Sequence, residues 1–346
     1  MKLSEIGGEF AFIDRITPGC ERGDPTRVIR GIGDDAAVVE VAGGALVLTT
    51  DMLIERVHFL RGTISPRQLG YKALAVNLSD IAAMGAVPHE ALVSIAIPPT
   101  VTVEELDEIY DGMKALAADS RVNLLGGDTT GSKTDLCLNL VVTGSAAPDE
   151  ILYRSGARVG DRILVTGTLG DSAGGLTVLL EQPSLPEDVA RRLVEAHYLP
   201  ELYLAEARLL ARSGAAHAAI DLSDGLASDL RHVCRASGVG AVVDAGSLPL
   251  SDDLRIMCEQ THHDPIRLAV AGGEDYRLLV TVDPDRVEEL RAAVAAETGR
   301  QLFDVGEIVA GDEISLRTQD GSTTSLALSG WDHFAAGTTT DPGVTT

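Results

Sequence analysis

The sequence predicts an α/β protein made of two domains. Short apolar segments that end in glycine and aspartate alternate with longer segments in which apolar residues recur at helical spacing. The chain has 346 residues, which favours two domains over one. Only 3% of the residues are aromatic, so aliphatic side chains must build the core. We expect domains at residues 1–147 and 148–335, and a disordered tail at 336–346.

The composition excludes several classes of protein. Acidic residues outnumber basic residues by 52 to 28, and no basic cluster provides the footprint that nucleic acids require. No apolar run has the length of a membrane span, and the N-terminus lacks a hydrophobic signal segment. The cysteines show no paired spacing, which favours reduced thiols. Together these observations predict a cytoplasmic protein without a nucleic-acid or membrane partner.

The first acidic segment is residues 31–38 (GIGDDAAV), in which a tight glycine turn presents two carboxylates before an apolar strand. A second strand begins with residues 45–48 and ends in Thr49, Thr50 and Asp51. The pattern predicts a Gly-Asp loop beside a strand end that carries hydroxyls and a carboxylate. An ordinary hairpin turn at Gly-Asp-Asp is the alternative.

The rest of the first domain is predicted to contain helices at 9–13, 66–84 and 103–121, and strands at 91–97 and 136–143. Within the second helix, Lys72, Val76 and Asp80 are spaced by four residues, so Asp80 shares a face with apolar neighbours. A carboxylate on such a face needs a partner. Residues 124–130 (LLGGDTT) are predicted to turn into the last strand.

The second domain is predicted to begin with a strand at 161–167, which leads through residues 170–176 into a helix. A surface loop is predicted at 183–186 and a second strand at 219–225. Further helices are predicted at 203–212, 226–237 and 286–298. Apolar runs at 268–270 and 278–282 flank residues 272–276 (GGEDY), and we interpret both runs as strands. The turn at 170–174 (GDSAG) fits either a phosphate-binding helix N-terminus or a helix cap made by Ser172.

Aspartates and hydroxyls recur where apolar segments end, and they offer hard oxygen ligands of the kind that Mg²⁺ prefers: Asp35, Thr49, Thr50, Asp51, Asp80, Asp128, Asp221, Ser223 and Asp224. Each like-charge pair about 4 Å apart costs roughly 4 kcal/mol at an effective dielectric near 20, so such a cluster needs cations. With several divalent cations it becomes a phosphate site. Taken singly, each aspartate also fits a turn or a cap. Walker, dinucleotide-binding, protein-kinase and zinc motifs are absent from the sequence.

The complete set of motifs resembles the thiamine-monophosphate kinase family. In chain order the motifs are GIGDDAAV, TTD, HF, KALAVNLSDIAAMGAVP, GGDTT, VTGTLGDSAGGL, DLSDGL, GGEDY and WDHF. The resemblance implies a two-domain α/β architecture of the aminoimidazole ribonucleotide synthetase type, with mixed sheets and helices packed on them. It also implies a homodimer formed through the N-terminal domains. The implied reaction converts ATP and thiamine monophosphate to ADP and thiamine diphosphate, the final step in the biosynthesis of that product. Transfer would be direct and in line, assisted by several Mg²⁺ ions, without a protein nucleophile.

The resemblance also implies roles for individual residues. The implied metal ligands are Asp35, Thr49, Thr50, Asp51, Asp80, Asp128, Asp221 and Asp224. The implied nucleotide contacts are Tyr110, Gly127, Asp128, Arg154 and Ser223, and the implied substrate contacts are His58, Glu274 and Trp331. Thiamine carries a cationic ring, for which Trp331 offers a cation–π face and Glu274 a counter-charge.

Each of these roles has an alternative. Trp331 fits a core anchor, Glu274 a turn residue between two strands, His58 a structural histidine and Arg154 a linker residue. For the whole chain, one alternative is another ATP-using member of the same superfamily. Selenophosphate synthetase would need a reactive cysteine in a Gly-rich loop, and Cys20 lacks the usual flanking residues. The hydrogenase-maturation factor would need a C-terminal cysteine, which the residues GVTT do not supply. A non-enzymatic acidic metal-binding protein is the other alternative.

Overall fold

The structure is a computed structural model that describes residues 8–18, 20, 24–318 and 320–326. These residues form two α/β units, and each unit is built on one mixed β-sheet with helices packed on it. The predicted fold class is confirmed. Trp331 and the predicted tail at 336–346 lie outside the described residues.

The first unit contains the helices α1 (Gly8–Ile16), α2 (Pro66–Ala83) and α3 (Val103–Ser120) and the strands β1 (Val28–Arg30), β2 (Ala37–Val41), β3 (Gly44–Ile54), β4 (Val87–Ile97), β5 (Asn123–Gly131) and β6 (Cys137–Ala146). The sheet has the order β1-β2-β3-β6-β4-β5. Its neighbours are antiparallel except for β4 and β5, which run parallel. Helices α2 and α3 cover one face of this sheet, and the other face is open as far as the described residues extend.

The second unit contains the strands β7 (Arg162–Val165), β8 (Ala216–Asp221), β9 (Gly240–Asp244), β10 (Leu278–Val282), β11 (Phe303–Val309), β12 (Ile314–Arg317) and β13 (Thr323–Ser325). Its helices are α4 (Asp171–Glu181), α5 (Glu187–Tyr198), α6 (Leu204–Arg212), α7 (Leu226–Ser237), α8 (Asp252–Thr261), α9 (Pro265–Ala271) and α10 (Val287–Thr298). The sheet has the order β13-β12-β9-β11-β7-β10-β8. Since β6 ends at Ala146 and β7 begins at Arg162, the boundary predicted at 147/148 lies in the connection between the sheets.

Helices cover both faces of the second sheet, as strand β10 shows, which lies between β7 and β8. Leu279 packs into a cluster with residues of α7 and α9, whereas Leu278 and Val280 pack into a cluster with residues of α6 and α10. Side chains of a strand alternate between the two faces of its sheet, so this strand is buried on both sides.

Helix α2 joins the two units. It begins with a capping box in which Ser65 accepts from the Gln68 amide, and Pro66 occupies the first turn. Gly70 lets α3 approach closely, because a Cβ there would lie 1.8 Å from the carbonyl oxygen of Ile109. On its other side, α2 packs against α6 and β8, so it is apolar around most of its circumference.

The structure corrects two predictions of secondary structure and shows a helix that was not predicted. Residues 124–130 do not turn, because they lie in β5, where Gly126 and Gly127 adopt φ values of +143° and +148° beside β4. Residues 268–270 belong to helix α9 and not to a strand, since Asp264 caps that helix and Pro265 begins it. Helix α5 follows the predicted loop at 183–186 and was not predicted, although it buries Val189, Leu193 and His197 at helical spacing. No helix in the described part of the chain is long and apolar enough to span a membrane.

Candidate active site

Three predicted metal ligands converge where the two units meet. Asp35 precedes β2, Asp80 lies near the end of α2, and Asp221 is the last residue of β8. One carboxylate oxygen from each lies within 4.8 Å of the others. A loop and a helix of the first unit and a strand of the second unit therefore build one acidic cluster.

Neighbouring hydroxyls orient these carboxylates. Thr49 Oγ1 donates to Asp80 Oδ2 over 2.5 Å, and Ser79 Oγ donates to Asp221 Oδ2 over 2.7 Å. Oδ2 of Asp35 is buried and has no hydrogen-bond partner among the described residues. Buried acceptors are normally paired, so an unpaired oxygen beside two other carboxylates fits a site for a cation.

The electrostatics of the cluster favour neutralisation. Burial raises the pKa of Asp35 to about 7, although Arg154 opposes the shift. Burial also raises the pKa of Asp221 to about 6 and that of Asp80 well above its ordinary value. The pKa of Asp51 rises to about 6 through burial and through the charges of Asp35 and Asp224, which places both of these carboxylates near it. Without a metal, protons must compensate part of this charge.

The loop after β8 carries Asp224, and a residue that the sequence analysis missed supports it. Oδ2 of Asp229, on α7, accepts from the Asp224 amide over 3.1 Å. Asp229 is buried, and burial followed by the charges of Asp224 and Asp221 raises its pKa well above the ordinary value. Asp229 lies three residues after Leu226 and four before Val233, both buried in α7, so its helical spacing to apolar residues was the available sign.

Arg154 contacts a carboxylate of the cluster. Its guanidinium donates to Asp35 Oδ1 from Nη2 over 2.5 Å and from Nε over 3.1 Å. Its amide donates to Oδ1 of Asp34 over 3.0 Å, and Arg30 pairs with Oδ2 of the same aspartate. The first carboxylate of the Gly-Asp-Asp loop thus fixes the position of Arg154, a role that the sequence analysis did not assign.

Glu274 belongs to a second group of charged side chains near the acidic cluster. Its Oε2 lies 3.1 Å from Nζ of Lys72 and 3.3 Å from Nδ1 of His197. Burial opposes ionisation of Glu274, but Lys72, His197 and His58 hold its pKa below the ordinary value. Two predicted substrate contacts, His58 and Glu274, are therefore close enough to interact. The sequence analysis did not identify Lys72 or His197 as partners.

The main chain fixes Glu274 beside the loop after β8. Its amide donates to the carbonyl of Ser223 over 2.7 Å, and the amide of Tyr276 donates to that of Leu222 over 2.8 Å. Both Glu274 and Tyr276 have positive φ, at 64° and 49°. These bonds bring a predicted substrate contact next to Ser223, a predicted nucleotide contact.

Tyr110, Gly127 and Asp128 share a different surface. They line a cavity of about 620 Å³ between α3 and β5, together with Lys114 and Val93. Asp128 is exposed there and does not join the cluster of Asp35, Asp80 and Asp221 within the described chain. The structure thus groups the predicted nucleotide contacts of the first unit but separates Asp128 from those three carboxylates.

Thr50 also lies apart from the acidic cluster. Along β3, Thr49 is buried and Thr50 is exposed, as expected for residues that alternate between the faces of a sheet. Thr50 Oγ1 accepts from Nδ2 of Asn139 on the open face. Its hydroxyl therefore points away from the side on which Thr49 contacts Asp80.

Neither interpretation of the turn at 170–174 holds. The N-cap of α4 is Gly170, without a capping bond from its own segment. Instead, Asp275 accepts from the amides of Gly170 and Ser172 over 2.7 and 3.3 Å, so a carboxylate of the chain fills the helix N-terminus. Ser172 Oγ contacts Nδ1 of His197 at 3.0 Å.

Comparisons with known proteins cover nearly the whole chain. Residues 33–146 match the AIR synthase related protein N-terminal domain, and residues 158–319 match the C-terminal domain. The thiamine-monophosphate kinase of Aquifex aeolicus (strain VF5) is 34% identical, over 96% of this chain and 100% of that protein. The thiamine-monophosphate kinase of Salmonella typhimurium (strain LT2) is 39% identical, over 95% and 98%.

A solved structure agrees with this result. AaThiL complexed with AMPPCP and TMP is 34% identical to this chain, with a TM-score of 0.84, over 96% of this chain and 99% of its own. The resemblance predicted from the motifs is confirmed by both the sequence and the structural comparisons. The chain belongs to the thiamine-monophosphate kinase family.

Proposed function

We propose that this protein transfers a phosphoryl group from ATP to thiamine monophosphate and so produces ADP and thiamine diphosphate. The observation that carries the proposal is the convergence of Asp35, Asp80 and Asp221 from both units, within 4.8 Å of one another. Relatives that match about 95% of the chain are thiamine-monophosphate kinases, and AaThiL was solved with AMPPCP and TMP. We propose a cytoplasmic location, as its composition predicts.

We propose that several Mg²⁺ ions bind at this cluster, held by Asp35, Thr49, Asp51, Asp80, Asp221 and Asp224. All the ligand atoms are oxygens, and the buried Oδ2 of Asp35, unpaired within the described chain, supports a cation site. Bound Mg²⁺ would neutralise phosphate charge and orient the phosphates. The roles of Asp128 and Thr50 as ligands remain predictions.

The remaining residues near the cluster support direct in-line transfer. The acceptor is itself a phosphate and is largely deprotonated near neutral pH, so positioning and charge neutralisation suffice without a protein nucleophile. We propose that Arg154 and Ser223 contact the nucleotide phosphates, while Tyr110 and Gly127 line the cavity that receives the rest of the nucleotide.

The substrate is proposed to lie near His58 and Glu274. Nδ1 of His58 accepts from the amide of Ile54 over 3.0 Å, so in the neutral ring Nε2 carries the proton and donates. A donor of this kind suits the phosphate of the substrate. Glu274 is proposed to contact the thiamine rings, and Trp331 remains a predicted contact outside the described residues.

We propose a homodimer that forms through the open face of the first sheet. On this face Met52 and Leu92 are 50% and 46% exposed, and Leu125 on the edge strand β5 is 64% exposed. Exposed apolar side chains on an open face and an unpaired edge are typical of an interface. Light scattering of the L92E/L125E variant should show monomers where the unchanged protein shows dimers. Two monomeric proteins would contradict the proposal.

A coupled assay for ADP tests the proposed function. The protein should form ADP with thiamine monophosphate and Mg²⁺, and not with thiamine or aminoimidazole precursors. The variant D80N should lose this activity, whereas the matched control D312N, changed in an exposed loop, should keep it. Mg²⁺ binding without ADP formation would instead favour the non-enzymatic alternative, and turnover of an aminoimidazole precursor would favour another member of the superfamily.

A further inference from the structure

Lys72 is a buried cation that connects the two units. It lies on α2 and is 0% exposed, and its Nζ is 3.1 Å from Oε2 of Glu274 in the second unit. The same Nζ lies 5.9 Å from the centre of the Tyr198 ring. A buried ammonium group is costly unless it is paired, so a purely structural position would be better filled by an apolar residue. This cost calls for a functional reason.

The side chain of Glu274 is contacted by other residues on one side and is exposed on the other. Its side chain is 25% exposed, and its main chain is fixed at φ 64° by the bond to Ser223. The contacts with Lys72 and His197 both involve Oε2. Within the described chain the contacts of the side chain involve Oε2, so Oε1 is the oxygen that remains for a ligand.

We propose that Lys72 is the positioning residue of Glu274, which holds Oε2 so that Oε1 faces the substrate. This inference rests on the proposed function, in which Glu274 contacts thiamine monophosphate. The ligand group that such an oxygen recognises is an N–H donor on a heteroaromatic ring. Lys72 itself does not touch the substrate.

Among the charges around Glu274, that of Lys72 lowers its pKa most. The groups that face Glu274 are Lys72 from α2, His197 and Tyr198 from α5, His58 after β3, and Tyr276 from its own loop. Burial and the charge of Lys72 lower the pKa of His197 to about 4, so this ring is neutral at pH 7. Lys72 and Glu274 therefore form a net neutral pair. Glu274 acts as a hydrogen-bond acceptor and not as a free counter-charge for the thiazolium, which departs from the sequence-based hypothesis.

A double-mutant cycle tests this inference. The proteins are the unchanged chain, K72M, E274Q and K72M/E274Q, with K133M as a control because Lys133 is exposed. Calorimetry measures the Kd for thiamine monophosphate and, separately, for AMPPCP with Mg²⁺, and turnover is recorded in parallel.

We expect K72M to weaken thiamine monophosphate binding by about 30-fold and AMPPCP binding by less than about threefold. In the E274Q background, adding K72M should change the Kd by less than about threefold, since the residue acts only through Glu274.

The results that overturn the inference are equally definite. The inference is wrong if K72M folds and binds thiamine monophosphate with an unchanged Kd. It is also wrong if the Lys72 substitution weakens binding equally in the unchanged chain and in E274Q, because a merely structural role would give that result. If K72M alone does not fold, the comparison of E274Q with the double variant decides, because the inference requires the same Kd for both. An unchanged protein that binds thiamine monophosphate without turnover would contradict the proposed function, while the binding cycle would still decide the role of Lys72.

Discussion

Arg154 and Asp35 form an ion pair in which Nη2 lies 2.5 Å from Oδ1 of the buried carboxylate. The arginine is the one expected to bind nucleotide phosphates, and the aspartate is expected to bind metal. A guanidinium and a divalent cation on one carboxylate repel each other. Metal binding at Asp35 and movement of Arg154 toward the phosphates should therefore favour each other.

The variant R154M tests this coupling. Without nucleotide, it should bind Mg²⁺ about 3- to 10-fold more tightly than the unchanged protein, because no cation competes for Asp35. Its KM for ATP should rise by about 10- to 100-fold, because a charged contact to phosphate is lost. Titration calorimetry with Mg²⁺, with and without AMPPCP, measures the first effect. The control R162M removes a pair with Asp304 on the second sheet and should change neither value. Weaker Mg²⁺ binding by R154M alone would contradict the coupling.

The acidic cluster predicts how stability depends on pH. The pKa values of Asp35, Asp51 and Asp221 in the folded protein are about 7, 6 and 6, above the ordinary 3.8. The folded state thus binds protons that the unfolded state has released, so stability is present at low pH and is lost as pH rises through 6 to 7. In EDTA, the melting temperature should fall between pH 5.5 and pH 8, and Mg²⁺ should restore it at pH 8.

The variant D80N isolates this effect from other titrating groups. The buried, neutral His197 acts in the opposite direction below its ordinary pKa, but it does so equally in both proteins. At pH 8 in EDTA, D80N should be more stable than the unchanged protein by about 1–2 kcal/mol, although it is inactive. Thermal melts at both pH values, with D312N as the control, measure the difference. A D80N protein that is less stable at pH 8 would show that the carboxylates do not repel one another.

Ser79 tests the contact between the units. Its hydroxyl donates to Asp221 across 2.7 Å, and removing a hydrogen bond to a charged group costs about 1.5–3 kcal/mol. We expect S79A to lower the free energy of unfolding by this amount and to weaken Mg²⁺ binding, as measured by urea denaturation and calorimetry. Ser184 is exposed in the loop before α5, so S184A should leave both unchanged. Equal behaviour of the two variants would exclude a role for this contact.

Gly127 tests whether β5 must approach β4 closely. A Cβ at this position would lie 1.7 Å from the carbonyl oxygen of Val93, and its φ of +148° disfavours other residues. We expect G127A to lose about 2–4 kcal/mol of stability and to bind AMPPCP poorly, because the cavity beside β5 is displaced. Gly131 ends the same strand with open space around it, so G131A is the matched control. Normal nucleotide binding by G127A would show that this cavity does not bind the nucleotide.

The sequence predicted the parts of the site that depend on local pattern. Asp35 and Asp221 lie where short apolar segments meet glycine-containing loops, and Asp80 shares a helix face with apolar residues. Lys72 was on the same face, but its partner lies 202 residues away, and spacing alone does not reveal such a pair. His197 was missed because α5 was not recognised.

Glycine caused one of the errors in the predicted fold. Residues 124–130 contain two glycines and an aspartate, which usually mark a turn. Here both glycines adopt positive φ within an extended strand, and Gly127 lets that strand pack against β4, where a Cβ would lie 1.7 Å from the carbonyl oxygen of Val93. Helix α2 is buried on two sides, because the second unit covers the side that a helix normally exposes, and this contact between units could not be read from the spacing within the helix.

The central claim is that carboxylates from both units share the metal that brings two polyanions together. Crystals grown with Mn²⁺ and AMPPCP provide the most direct test through an anomalous difference map. We expect peaks about 2.0–2.3 Å from carboxylate oxygens of Asp35, Asp80 and Asp221, with nucleotide phosphate on the other side of the metal. Bound nucleotide and Mn²⁺ at another site, with no peak among these three residues, would contradict the account.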